Sequence, residues 1–146
     1  MDSLSIIHFV QPGLLLDVGS GAGLPGIVIA IMKPETKVFV LDSVGKKCRF
    51  MQAVKSELAL ENLIVVNSRV ESFKPNKSFS QITSRAFAEA SKTIQLTKHL
   101  LEENGRYLLM KGSNIEKEDV DNFNMKVHSM TVPFVSDKRS LLEIEL

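Results

Sequence analysis

The sequence predicts an α/β domain built on a mostly parallel sheet, and three observations predict it. Short apolar runs alternate with amphipathic stretches along the chain. A glycine-rich segment stands directly between the first apolar run and the first helical stretch. No internal repeat, low-complexity tract or linker interrupts the 146 residues, one domain's length. Strand–helix alternation implies crossovers that each carry a helix, so helices should cover both faces.

The elements follow in order. Residues 14–18, Leu-Leu-Leu-Asp-Val, form a short apolar run that ends at glycines. Residues 24–32 have helical composition, with Pro25 tolerated in the first turn and Pro34 stopping the helix. Residues 37–41, Lys-Val-Phe-Val-Leu, read as a buried strand. In 45–60, Phe50, Met51, Val54 and Leu58 recur at helical spacing among charged residues. Residues 63–66 are a third strand and 79–83 a short fourth. Residues 88–101 predict a helix ended near Asn104-Gly105. Residues 106–110 predict the fifth strand, and 115–123 a short helix. Residues 126–132 and 141–146 predict an antiparallel hairpin at a sheet edge.

Composition narrows the function classes. Eighteen Lys and Arg against 17 Asp and Glu give a net charge of +1, too balanced to indicate a polyanion partner by itself. One cysteine, Cys48, excludes an internal disulfide framework and a multi-cysteine zinc site. It fits a reducing, cytoplasmic setting. His8, His99 and His128 have no ligand-like spacing, so no metal is expected. No apolar run is long enough for a membrane helix, and no signal peptide is evident.

The chemistry concentrates in residues 17–26, Asp-Val-Gly-Ser-Gly-Ala-Gly-Leu-Pro-Gly. Glycines after a strand and before a helix let the backbone turn sharply and let a ligand approach it. Gly21-Ala-Gly23-Leu-Pro-Gly26 literally satisfies the dinucleotide pattern G-x-G-x-x-G, and Asp42 follows Gly21 by 21 residues, as a ribose-binding carboxylate would. A nicotinamide oxidoreductase is therefore one alternative. Asp17 argues against it. A carboxylate at the mouth of the first strand would repel a pyrophosphate but suit the cationic ammonium and sulfonium end of S-adenosylmethionine. The competing view of Asp17 is a helix-capping or turn residue.

Residues 17–26 resemble the first motif of the class I methyltransferases. The Leu-Pro-Gly ending narrows this to the bacterial small-subunit (16S) ribosomal RNA guanine-N7 methyltransferases, the glucose-inhibited division protein B family. Leu41-Asp42-Ser43 with Gly45-Lys46-Lys47 resembles that family's second motif, Ser68-Arg69-Val70-Glu71 its third and Thr83-Ser84-Arg85-Ala86-Phe87-Ala88 its fourth. Leu109-Met110-Lys111-Gly112 and Lys138-Arg139-Ser140-Leu141 are similar to its tail. The family carries a helical segment ahead of the Asp2-Ser3-Leu4 stretch, where this sequence opens. The resemblance implies one Rossmann-like, S-adenosylmethionine-dependent domain over residues 1–146. It also implies small-subunit ribosomal RNA, or the assembling subunit, as substrate, with no membrane partner. A non-catalytic nucleotide-binding remnant of the family is a further alternative.

Roles follow from motif and resemblance together. Gly19, Gly21 and Leu24 should line the methionine end of the cofactor, with Asp17 beside them. Asp42 offers two acceptor oxygens for the two ribose hydroxyls. The resemblance assigns Val70 and Glu71 to the adenine and Arg85 to the cofactor; from the sequence alone, Arg69 and Glu71 form a solvated pair. Arg69, Lys111 and Arg139 are candidates to hold RNA phosphate or guanine. Guanine N7 has a free in-plane lone pair and needs no general base, so the main task is alignment at about 3–3.5 Å. No Ser-His-Asp triad is apparent. Cys48 reads as packing rather than a nucleophile.

Overall fold

A computed structural model describes residues 6–85, 89–111, 124–130 and 139–146. The seven strands are β1 (Gly13–Val18), β2 (Thr36–Asp42), β3 (Leu63–Asn67), β4 (Phe79–Arg85), β5 (Leu101–Lys111), β6 (Asn124–Met130) and β7 (Arg139–Glu145). Among the described residues three α-helices accompany them: α1 (Gly26–Met32), α2 (Gly45–Leu58) and α3 (Ala90–Thr97). The strands form one sheet in the order β3-β2-β1-β4-β5-β7-β6. The first five are parallel to one another, and β7 alone runs the other way, antiparallel to both of its neighbours, β5 and β6. The predicted edge hairpin is present, with β7 beside β5 and β6 outermost. The predicted helix at 115–123 and residues 131–132 lie outside the described residues.

Period-2 alternation divides the core between the two faces of the sheet. Leu15, Val38, Val40, Leu108, Met110 and Leu141 face α1 and α2, which contribute Ile27, Ile29, Cys48 and Met51. Leu16, Val18, Leu41, Leu109, Leu142 and Ile144 face the other way, onto Ala90 and Ile94 of α3. Helices therefore cover both faces, as expected.

Several boundaries shift by a residue or two, and two of the differences have a local cause. Helix α1 starts at Gly26 rather than residue 24, with Pro25 at its N-cap and a cis Leu24–Pro25 peptide. Helix α3 ends at Thr97 and a short 3-10 turn carries the chain to Leu100, so β5 begins at Leu101, inside the predicted helix. The register between β4 and β5 slips from Phe79↔Leu101 to Gln81↔Arg106. The slip absorbs the irregular Asn104-Gly105 stretch, where Asn104 has φ 67°. A Cβ on Gly105 would fall 2.9 Å from the Glu102 carbonyl oxygen, a backbone atom, so a larger residue there would force the bend to shift.

The strand order reverses at β1, with β2 on one side and β4 on the other. In open α/β sheets, ligands bind beyond the carboxyl ends of the strands at such a reversal. Asp42, Asn67, Arg85 and Lys111 end β2, β3, β4 and β5 on that edge.

Candidate active site

The loop after β1 is held by its own backbone. Gly19 and Ser20 N–H both donate to the Leu41 carbonyl, at 2.9 and 3.1 Å, and the Ser20 hydroxyl donates to the Asp17 carbonyl at 2.9 Å. Gly23 N–H returns to the Ser20 carbonyl at 2.8 Å. The glycines have different causes. A Cβ on Gly26 would fall 2.4 Å from Val40 Cγ1 and 2.7 Å from Asp17 Oδ2, and one on Gly23 would strike Ile27. Packing alone explains both. Gly21 is different: with φ +59° it is in the left-handed region, yet its Cβ would meet nothing within 4 Å. Its open side is room that the fold itself does not use.

Asp42 sits under this loop and is 7% exposed. Its Oδ2 accepts the Gly21 N–H and its Oδ1 the Val44 N–H, each at 2.9 Å. Its carbonyl accepts from Ser68 N–H at 3.0 Å and from the Cys48 thiol at 3.3 Å. Both oxygens expected to accept from the ribose hydroxyls are thus also engaged by the protein's own backbone. Each already holds one backbone donor and has one lone-pair direction left. Cys48 is buried and burial pushes its thiol pKa up, which suits packing rather than nucleophilic work.

Asp17 is fully buried. Its Oδ2 accepts the Gly26 N–H at 2.8 Å, tying β1 to the start of α1, while Oδ1 has no hydrogen-bond partner among the described residues. The capping role weighed against ligand binding is thus real, and the carboxylate lies beneath the loop rather than open at the strand mouth. Burial raises its pKa to about 8, opposed by the Gly26 N–H hydrogen bond and the Arg85 guanidinium.

A crevice of about 410 Å³ opens beside Asp42, within the range of small-molecule sites. Gly19, Asp42, Val70 and Glu71 line it, together with Arg69 and Lys47. Ser43, Val44 and Ser68 also line it; they flank Asp42 and Arg69 in the second and third motifs, but their own contribution was not anticipated. Gly21, Leu24 and Arg85 stand outside that lining.

The expected basic residues divide into two groups. Arg85 pairs in register with Met110, and Lys111 with Ser140, so the β4, β5 and β7 ends bring Arg85, Lys111 and Arg139 to one edge. Arg69 follows β3, four strands from β5, which is roughly 19 Å at the usual strand spacing. It belongs to the crevice, not to a single cluster with Lys111 and Arg139. Among the described residues, no group of three His, Cys, Asp or Glu side chains could hold a metal, and no helix is long and apolar enough to cross a membrane.

Residues 1–142 match the family described as GidB, rRNA small subunit methyltransferase G. The chain belongs to this family. Among curated relatives, the ribosomal RNA small subunit methyltransferase G of Ruthia magnifica subsp. Calyptogena magnifica is 53% identical over 142 residues, covering 97% of this chain and 70% of that protein. The protein of the same name from Methylobacillus flagellatus is 46% identical over 144 residues, with the same coverage. Among solved structures, a predicted O-methyltransferase of Agrobacterium tumefaciens superposes with TM-score 0.79 at 15% identity, over 99% of this chain and 80% of that one. A SAM-dependent methyltransferase from Aquifex aeolicus gives 0.73 at 15% identity, over 99% and 89%. These two bear on the fold alone, that of the class I methyltransferases. The family membership favours neither the nicotinamide alternative nor the non-catalytic remnant.

Proposed function

We propose that this chain transfers the methyl group of S-adenosylmethionine to N7 of a guanine in 16S ribosomal RNA, as a cytoplasmic enzyme acting on the free RNA or the assembling small subunit. The observation that carries the reading is the pairing of Asp42 with the Gly21 N–H beside a crevice of about 410 Å³, in a chain of this family. The residues fit the cofactor. Asp42 keeps a lone-pair direction on each oxygen for the ribose, Val70 and Glu71 flank the crevice for the adenine, and the open side of Gly21 leaves room at the methionine end. The unpartnered Asp17 Oδ1 keeps a titratable carboxyl under the loop, whose ionised form a cationic ligand end would favour, and Gly19 and Leu24 are assigned to the same end of the cofactor. When bound, the cofactor supplies an electrophilic methyl on a sulfonium.

The chain's own part is positional. Guanine N7 attacks with its lone pair, so no side chain has to remove a proton from it, and alignment within about 3–3.5 Å accounts for much of the barrier lowering. Lys111 and Arg139, at the edge next to Arg85, would hold the RNA and present the guanine, while Arg85 also serves the cofactor. Titration calorimetry with S-adenosylhomocysteine and with NAD tests the cofactor assignment. Binding of the first and not the second is expected, and the reverse would overturn it.

A further inference from the structure

Of four cations in and next to the crevice lining, Lys46, Lys47 and Arg49 have no role so far, and Arg69, a candidate RNA contact, stands apart from Lys111 and Arg139. Lys46, Lys47 and Arg49 are exposed at the start of α2, whose first turn holds no acidic residue. The N-terminal end of a helix is its positive pole, so cations there work against the fold. The Arg49 guanidinium bends back toward the helix start: its Nη1 lies 3.4 Å from where a Cβ on Gly45 would stand, as does the side-chain amide of Asn67, the last residue of β3. Arg69 is exposed two residues further on. Lys47 and Arg69 line the same crevice. Among the described residues, none of the four forms an ion pair. In a chain of net charge +1, four cations outside any ion pair, two of them sharing the crevice with Asp42 and Glu71, concentrate positive charge on this side of the site.

We infer that Lys46, Lys47, Arg49 and Arg69 form a phosphate-binding surface for the backbone of the RNA substrate, separate from the Arg85, Lys111 and Arg139 edge. The inference rests on the proposed function and extends it: the RNA spans the crevice, held on both sides of the cofactor. An acidic protein would also be drawn to such charge. RNA held at the Lys111 and Arg139 edge would have to run across the crevice to reach this rim, roughly 19 Å away at the usual strand spacing, and this continuity with the substrate edge favours RNA.

The test uses Lys46→Glu/Arg49→Glu, since neither residue lines the crevice. Affinity for S-adenosylhomocysteine should stay within about twofold. The thermal midpoint should hold or rise, because acids replace cations at the helix N-terminus. Affinity for unmodified 16S ribosomal RNA at low salt should fall about tenfold or more, and the log–log salt slope should shrink by about 1.4, two single-strand phosphate contacts. KM for RNA should rise with kcat retained. Lys77→Glu/Lys98→Glu makes the same charge change just before β4 and β5, at the opposite sheet edge, and should leave RNA affinity within about threefold. An unchanged slope in the first variant, or an equal loss in the second, overturns the inference. Lys46→Gln/Arg49→Gln gives the same reading if the Glu pair loses cofactor binding. If the unmutated protein binds RNA through this surface but transfers no methyl group, the proposed function fails and the surface stands.

Discussion

The Gly21 N–H donates to Asp42 Oδ2 at 2.9 Å, across 21 residues of sequence. This bond joins the two halves of the cofactor fingerprint: the loop after β1 and the acid that ends β2. The same carboxylate holds Val44 at the entry to α2. One side chain therefore sets the loop and still faces the crevice.

Asp42→Ala should consequently do more than remove ribose acceptors. Loss of hydrogen bonds to a charged acceptor costs about 1.5–3 kcal/mol, or roughly 10- to 150-fold in cofactor affinity. Freeing Gly21 and Val44 should also lower unfolding stability by about 1–3 kcal/mol. Calorimetric titration and denaturant melts on the same sample measure both. An affinity change under about twofold would show that the carboxylate does not face the ribose.

Gly21→Ala and Gly26→Ala should separate the loop's two duties. At Gly26 the new methyl would overlap Val40 and Asp17, so stability should fall by about 1–3 kcal/mol. At Gly21 the methyl enters open space, with roughly 1–2 kcal/mol of backbone strain. There, cofactor affinity should suffer beyond the loss of stability. Equal effects of the two on affinity per unit of stability lost would undo the distinction.

Asp17 predicts a pH dependence. Burial raises its pKa from 3.8 to about 8. The folded state holds the proton more tightly than the unfolded state, so its contribution is full below about pH 4. It declines as pH rises and is gone above about pH 8. Asp17→Asn keeps an acceptor for Gly26 N–H but does not titrate. The wild-type melting midpoint should fall relative to Asp17→Asn between pH 4.5 and 8, and parallel curves would refute this. A cationic ligand end favours the ionised form, so wild-type cofactor affinity should rise toward pH 8 while that of Asp17→Asn stays flat.

Lys111→Ala and Arg139→Ala should bind S-adenosylmethionine normally but methylate RNA poorly, with the RNA salt slope reduced by about 0.7 each. Arg85→Ala should lose cofactor affinity as well, since its guanidinium acts on Asp17. Unmutated transfer rates in the first two across a range of salt would remove them from RNA handling.

Most of the sheet was legible because strands buried on both faces are continuous apolar runs, as in residues 37–41 and 63–66. The start of β5 was not: Leu100 and Leu101 extend the apolar spacing of α3, and only the turn at Asn104-Gly105 and pairing with β4 decide the break. Of the crevice residues, Gly19 and Asp42 were identifiable from motif spacing, whereas Val70 and Glu71 came only from the family resemblance. The separation of Arg69 from Lys111 was hidden, because strand order is a long-range property that no local pattern encodes. The double backbone commitment of Asp42 was hidden for the same reason.

The most direct test of the central claim is transfer of tritiated methyl groups from S-adenosylmethionine to unmodified small-subunit RNA, free and in particles, followed by chemical cleavage at N7-methylguanine. The account predicts label at a single guanine and strand cleavage at that position. Label on another atom, or none from a protein that binds S-adenosylhomocysteine, would contradict it.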